Sequence, residues 1–263
     1  MYFVQRKKNY LTKYISMRYF INISYNGKSY HGWQIQKNAV SVQSTLQDTI
    51  SKILRQEVNL LGSGRTDTGV HANSQVAHFD IKNKIEDDFI FRVNSFLPHD
   101  ISINSVRRVN VSSNARFDAI SREYIYKIHV VKSPFMNGLS MHYTHNINFE
   151  LINDACSIIL ENKNFQSFSK VKTEVNNFNC NVFEASLVKT ESNYLFKFSS
   201  NRFLRGMVRA LVGTILKLNE GKITLEDFKN IFTKKNREYA GPSAPPYALY
   251  LNSVNYNSDI YYD

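Results

Sequence analysis

The chain contains several segments in which apolar residues recur at every second position. Between Tyr19 and Tyr25 every other residue is apolar, and this period is typical of a strand with one buried face. Six further segments have a strand-like pattern, and the last two of them are close enough to form a hairpin. They are a segment that leads into Leu61-Gly62, then Gln75–Ile81, Ile101–Val109, Arg122–Val131, 182–189 and 194–200. A last strand is predicted over Ala248–Tyr256.

Apolar residues spaced three or four apart predict helices between these strands. The helices are one after the cap residue Ser41, one over Phe89–Leu97 that stops at Pro98, one over Leu151–Leu160, one over Leu204–Ile215 that ends near Gly221, and one after the cap residue Thr224. Gly206 falls inside the fourth of them, where glycine costs about 1 kcal/mol relative to alanine.

Helices mixed with hairpin-connected strands favour the α+β class, with largely antiparallel sheets flanked by helices rather than a doubly wound parallel sheet. The same kinds of element recur on both sides of residue 114. We therefore predict two similar subdomains, 17–114 and 115–263, with a substrate cleft between them. Residues 1–16 lack a periodic pattern. They are either a genuine N-terminal extension, which can be disordered, or sequence upstream of Met17 as the natural initiator.

The net positive charge of the chain indicates what kind of partner it binds. The chain has 33 basic and 22 acidic residues, a formal net charge of +11, which suits a polyanion such as nucleic acid.

Its two cysteines, Cys156 and Cys180, are too few for a disulfide framework and lack metal-ligand spacing, so we expect packed thiols in a reducing compartment. No apolar run is long enough for a membrane span. The protein is therefore expected to be cytoplasmic.

The segment from Gly62 to His71 reads Gly-Ser-Gly-Arg-Thr-Asp-Thr-Gly-Val-His and lies between two predicted strands. Its glycines allow the backbone to approach a ligand closely. Thr-Asp-Thr-Gly is also good turn chemistry, so Asp67 could be a structural turn residue and Arg65 a surface cation. The loop alone leaves both interpretations open.

The full string Gly-Arg-Thr-Asp-x-Gly-Val-His resembles the signature loop of the TruA family of tRNA pseudouridine synthases. Other segments are similar to motifs of the same family, in the same order, and together they cover about residues 17–256. They are Tyr25–Gln34, Ser41–Gln43, Ala115–Ala119 with Arg122–Tyr126, Phe203–Thr214, and Gly241–Pro245.

The resemblance implies that the protein isomerises uridine to pseudouridine at positions 38, 39 and 40 of the tRNA anticodon arm, without cofactor or metal. It implies Asp67 as the catalytic carboxylate, Arg209 as its cationic partner and Arg65 as the residue that fills the space left by the displaced nucleotide. Tyr124 would stack on the displaced uracil and help the proton leave C5. The family also implies a homodimer that holds tRNA across both subunits.

Three points stay open from the residues themselves. Alternation places Tyr126 on the same face of its strand as Tyr124, so the pattern does not choose between them. His71 and His78 suggest a ribonuclease, although acid–base catalysis requires geometry as well as residue type. A non-catalytic RNA-binding module would need only backbone electrostatics and stacking.

Overall fold

The computed structural model describes residues 16–171, 175–191 and 193–262, and within them the chain forms nine strands and five α-helices. The strands are β1 Met17–Tyr25, β2 Leu61–Gly62, β3 His71–Ile81, β4 Ile101–Val109, β5 Ser121–His129, β6 Met141–His142, β7 Val182–Lys189, β8 Asn193–Ser200 and β9 Leu249–Asn255. The helices are α1 Val42–Leu54, α2 Phe89–Phe96, α3 Phe149–Glu161, α4 Met207–Asn219 and α5 Leu225–Lys234. Apart from Ser16, the predicted extension 1–16 lies outside the described residues.

The strands form one sheet in the order β4-β1-β3-β9-β5-β8-β7, with β2 added to β3 and β6 added to β5. Most neighbours are antiparallel, which confirms the predicted α+β class. β3 and β9 pair in parallel over two residues each, His71 with Tyr250 and Ala72 with Leu251. This short pairing joins the N-terminal and C-terminal parts of the sheet, and the loop that contains Asp67 ends beside it.

The N-terminal part of the sheet packs against α1 and α2. The apolar residues of β1 between Tyr19 and Tyr25 are all buried, as the alternation predicts. α1 begins with a capping box in which Ser41 and Ser44 satisfy each other's backbone N–H groups, and this satisfies donors that have no partner inside the helix. Leu251 and Val254 of β9 belong to the same core.

The C-terminal part packs against α3, α4 and α5, with Phe196 and Phe198 of β8 fully buried beneath them. The proposed domain boundary near residue 114 stays a prediction; the sheet itself runs across both parts. Cys156 and Cys180 are buried free thiols. Among the described residues, no helix is both long and apolar enough to cross a bilayer.

The start of α4 differs from the sequence prediction. The helix begins at Met207, and Gly206 is its N-cap residue with φ 73°, so Leu204 precedes the helix. A left-handed φ favours glycine over residues with a side chain. Gly206 therefore suits the chain reversal that starts α4, and the penalty predicted for a glycine inside a helix does not apply.

Candidate active site

The loop that contains Arg65 and Asp67 spans residues 63–70, between β2 and β3. Its first residues are bonded to β3. The Ser63 N–H donates to the Val76 carbonyl at 2.7 Å, and Ser63 Oγ donates to Gln75 Oε1 at 2.6 Å. Gln75 Nε2 donates in turn to the Gly64 carbonyl at 3.1 Å. Because Gln75 is fully buried, the base of the loop is fixed to the sheet.

The segment after β1 holds the middle of the same loop. The Trp33 N–H donates to the Thr66 carbonyl at 3.2 Å, and the Tyr25 hydroxyl is 2.8 Å from Thr66 Oγ1. Gly32 has φ 86°, and a Cβ at this position would collide with the Thr66 carbonyl, so the close approach requires glycine. The opening motif thus positions the residue that directly precedes Asp67.

Asp67 is paired with an arginine from α4. Arg209 Nη1 donates to Asp67 Oδ2 at 3.2 Å, with the two side chains 20% and 30% exposed. Arg209 Nε donates to the Ala244 carbonyl at 2.7 Å, and the Ala244 N–H donates back to the Arg209 carbonyl at 2.9 Å. The guanidinium therefore has a fixed orientation towards a carboxylate that solvent still reaches.

Tyr124 lies on β5 and is half-buried. Its ring meets that of Phe203 edge to face, with 5.1 Å between centroids. Burial raises the pKa of Tyr124 to about 12, an effect that the charge of Asp67 increases and that of Arg122 opposes. Tyr124 is thus within electrostatic range of Asp67 and is protonated near neutral pH.

Tyr126 is buried more deeply than Tyr124. It is fully buried, and its hydroxyl contacts Met141 Sδ at 3.4 Å. Tyr126 is therefore a packing residue of the C-terminal core, although it lies within electrostatic range of Arg209. Tyr124 is more exposed and lies within electrostatic range of Asp67. The two rings thus differ in exposure, a difference that strand alternation does not predict.

Arg65 lies two residues before Asp67 and is exposed. Within the described part of the chain, its side chain has no hydrogen bond or ion pair to another residue. A long cationic side chain that is not held by the protein can reorient towards a ligand at the loop. The structure thus brings together Asp67, Arg209 and Tyr124, and places Arg65 at the rim.

Arg122 is a further residue of this region, to which the sequence pattern gave no role. Its Nη2 donates to the carbonyls of Ser63 at 3.0 Å and Arg116 at 2.6 Å, and its Nη1 to the carbonyl of Asn201 at 2.8 Å. Burial lowers the pKa of Arg122. The guanidinium connects the loop that contains Asp67 to the strand that contains Tyr124. Alternation along Arg122-Glu-Tyr124 could have revealed it, since it puts both side chains on one face.

The two histidines bind backbone groups. The Gly27 N–H donates to His71 Nδ1 at 3.0 Å, so Nε2 carries the proton and donates to the Tyr247 carbonyl at 2.9 Å. The Ala115 N–H donates to His78 Nδ1 at 3.1 Å. Burial, with a contribution from Arg18, lowers the pKa of His78 to about 4, and burial lowers that of His71. Both are neutral structural groups and do not form an acid–base pair. Among the described residues, no cluster of His, Cys, Asp and Glu could hold a metal ion.

Comparison with known proteins now defines the class. Residues 21–118 and 161–257 match the sequence model of the family described as tRNA pseudouridine synthase. The chain belongs to this family and is a pseudouridine synthase, an isomerase, which confirms the resemblance seen in the motifs.

Individual relatives extend the match over almost the whole chain. The chain is 43% identical over 250 residues to tRNA pseudouridine synthase A of Porphyromonas gingivalis, covering 93% of this chain and 99% of the relative. It is 41% identical over 248 residues to the protein of the same name from Bacteroides thetaiotaomicron, covering 93% and 92%. The corresponding values for Parabacteroides distasonis are 39% over 247 residues, with 93% and 98% covered.

Proposed function

We propose that this enzyme converts uridine to pseudouridine in the anticodon arm of tRNA, at positions 38, 39 and 40, with Asp67 as the catalytic carboxylate. Membership of the tRNA pseudouridine synthase family supports the substrate. The observation that carries the proposal for the site is the ion pair between Arg209 and Asp67, in a loop braced from both sides and open to solvent.

The reaction requires one carboxylate and a space in which the base can turn. The N1–C1′ bond breaks, the uracil rotates, a C5–C1′ bond forms, the C5 proton leaves and N1 takes up a proton, so the product is an isomer of the substrate. A carboxylate can attack the sugar or the base, or take a proton from the sugar, and each role requires its ionised form. A neighbouring cation favours that form, which is the role we assign to Arg209.

Tyr124 and Arg65 act on the displaced nucleotide in this proposal. The reacting atoms are hidden in a stacked helix, so the target uridine must leave the stack before chemistry. Tyr124 would stack on the displaced uracil and assist loss of the C5 proton. Arg65, which is exposed and has no hydrogen-bond or ion-pair partner among the described residues, would occupy the vacated space in the RNA.

The overall charge and the family resemblance support the remaining features. The net charge of +11 suits an RNA backbone, and two buried free cysteines suit a reducing compartment such as the cytoplasm. The resemblance supports a homodimer that binds tRNA across both subunits. Sedimentation equilibrium of the purified protein tests this, since a dimer sediments with the mass of two chains and a single-chain mass contradicts it.

Tritium release tests the reaction and its position. Purified protein is incubated, without cofactor, with tRNA that contains tritium at uracil C5, and three anticodon-arm variants retain uridine at position 38, 39 or 40 alone. We expect release from each arm variant. Release from full tRNA but from none of these variants would contradict modification at positions 38, 39 and 40. Absence of release from any tRNA, with RNA binding intact, would favour the non-catalytic RNA-binding module.

A further inference from the structure

The loop between β4 and β5 displays an aromatic side chain beside the candidate active site. Phe117 is 76% exposed, and the Arg116 guanidinium lies 5.4 Å from the centre of its ring. Isolated exposed apolar residues are common on protein surfaces, so exposure alone carries no conclusion. What distinguishes Phe117 is the rigidity of the loop that holds it and the position of that loop.

The backbone around Phe117 is fixed within the loop. Asn114 Oδ1 accepts the N–H groups of Arg116 at 2.9 Å and Phe117 at 3.3 Å. The Asp118 N–H donates to the Asn114 carbonyl at 3.0 Å, and Asp118 Oδ2 accepts the Asn114 N–H at 2.8 Å. Asn and Asp side chains stabilise turns in this way. Asn114 and Asp118, which lie before and after Phe117, are thus bonded to each other.

Side chains from outside the loop fix it to the sheet. Ala115 is fully buried, its N–H donates to His78 Nδ1, and its carbonyl accepts the Tyr256 hydroxyl at 2.6 Å. The Arg116 carbonyl accepts Arg122 Nη2. A loop with this many partners holds its side chains in one place. The ring of Phe117 is therefore held outwards by an ordered backbone.

The same loop adjoins the residues around Asp67. Arg122 Nη2 binds the Arg116 carbonyl and the carbonyl of Ser63, which begins the loop that contains Asp67. Arg116 and Arg202 are close enough to Arg122 for their positive charges to act on it. An exposed ring with one guanidinium beside it, in a loop bonded to a further arginine, has the composition of a single-strand binding surface, where bases stack and phosphates are neutralised.

We propose that Phe117, backed by Arg116, is a stacking platform for an unpaired base of the RNA next to the target uridine. This inference rests on the proposed function, since it assigns a second contact to the same substrate. Sequence-specific RNA recognition commonly uses unpaired bases stacked on aromatic rings and guanidinium planes. The platform would select arms whose neighbouring base can leave the stack, and it would act on binding rather than on bond breaking.

Substitutions at Phe117 separate stacking from simple apolar contact. We expect Phe117→Ala and Phe117→Leu each to raise the Kd for a tRNA anticodon arm about tenfold, and Phe117→Trp to keep it within about twofold, because only a ring can stack on a base. The kcat at saturating RNA should stay within about twofold in all three. Phe91→Ala is the matched control, because Phe91 is also 76% exposed but lies on α2. It should resemble the wild type.

Abasic substitution identifies the partner base. Replacing the nucleotide next to the target by an abasic residue should weaken wild-type binding about as much as Phe117→Ala does, and the two changes together should cost no more than either alone. Full additivity at every position would overturn the platform. The platform would also be overturned if Phe117→Ala bound the arm with wild-type affinity, if Phe117→Leu kept that affinity, or if Phe91→Ala lost as much affinity as Phe117→Ala.

Two further outcomes are distinct from these. Should Phe117→Ala alter the sedimentation mass, the ring would be covered by a second copy of the chain and the platform would be wrong. Wild-type tritium release is measured in parallel. If the wild type releases tritium and Phe117→Ala binds RNA as tightly as the wild type, only the platform is refuted. If Phe117→Ala binds RNA more weakly but the wild type releases no tritium, only the proposed catalysis is refuted.

Discussion

Arg209 Nη1 lies 3.2 Å from Asp67 Oδ2, although 142 residues separate the two in the chain. Another nitrogen of the same guanidinium donates to the Ala244 carbonyl at 2.7 Å. One planar group thus fixes the loop that contains Asp67 relative to α4 and to the segment that precedes β9. This geometry needs at least two donors at a fixed angle, which arginine provides and lysine does not.

Arg209→Lys should therefore impair turnover although the charge is kept. A single ammonium cannot satisfy both the Ala244 carbonyl and Asp67 as the guanidinium does. We expect kcat to fall about 10- to 100-fold, and the KM for tRNA to change less than about threefold, since the pair is not expected to contact the RNA backbone. Steady-state tritium release measures both constants.

The exposed Arg205, just before α4, provides the control for that substitution. Arg205→Lys keeps the charge at the surface and should retain wild-type kcat. A wild-type kcat in Arg209→Lys would contradict this prediction. It would mean that a positive charge near Asp67 is sufficient and that the orientation of the charged group is not required.

Local patterns predicted the elements better than their junctions. The alternation of β1 and the cap at Ser41 depend on neighbouring residues, and both agree with the structure. The start of α4 depends instead on the left-handed conformation of Gly206, which an apolar period does not encode. Leu204 fits that period and is buried in the C-terminal core, so it satisfied the pattern without being helical.

The site was predicted through motif resemblance, and its geometry depends on long-range contacts. No spacing in the sequence predicts that Arg122 binds the carbonyls of Ser63 and Asn201, because those segments meet only in the folded sheet. The same holds for the difference between Tyr124 and Tyr126. Period two gives the face of a strand, whereas burial depends on which helices cover each end of it.

Arg65→Ala should impair activity in a way that depends on the substrate. Arg65 is exposed and free of intramolecular partners among the described residues, so its removal should leave the protein's stability unchanged. We expect kcat/KM to fall about 10- to 100-fold on a complete anticodon arm. On a short RNA whose target uridine is already unstacked, the loss should be within about threefold, because less flipping energy is needed. An equal loss on both substrates would contradict a role in displacement.

Arg122→Lys should reduce both stability and turnover. Lysine cannot span three carbonyls in three segments. Leaving a carbonyl without a donor costs roughly 1–3 kcal/mol when it is buried, and less at the part-buried and exposed carbonyls that Arg122 binds. We expect a lower free energy of unfolding in urea and a kcat reduced about tenfold or more, since Ser63 begins the loop that contains Asp67.

Arg18→Lys is the control for a half-buried arginine away from the loop that contains Asp67. Arg18 binds Asp80 and the Ser113 carbonyl. Its replacement should reduce the stability while leaving kcat within about twofold. Equal effects on kcat in Arg18→Lys and Arg122→Lys would show that Arg122 supports the fold without a specific influence on the loop.

His78 should make stability depend on pH. Its pKa is about 4 in the folded protein and near 6.5 in the unfolded chain. Between these values the unfolded chain binds the proton and the folded protein does not, so the free energy of unfolding falls as the pH is lowered from about 6.5 to about 4. The total effect is on the order of 3 kcal/mol.

Urea titrations at several pH values in this window test the contribution of His78. The control is His78→Asn, whose Oδ1 can still accept the Ala115 N–H but does not titrate. Its stability should fall less steeply with decreasing pH, by about one proton. Parallel curves for the two proteins would contradict the assignment, because the carboxylates that titrate at low pH are common to both.

Tritium release by Asp67→Asn, measured together with its affinity for tRNA, tests the central claim most directly. Asparagine keeps the size of the side chain and an oxygen that can accept from Arg209, while it removes the charge. Because phosphate contacts supply most of the binding, we predict no release above background and a Kd within about twofold of wild type. Substantial release by this variant would contradict the assignment of Asp67 as the catalytic carboxylate.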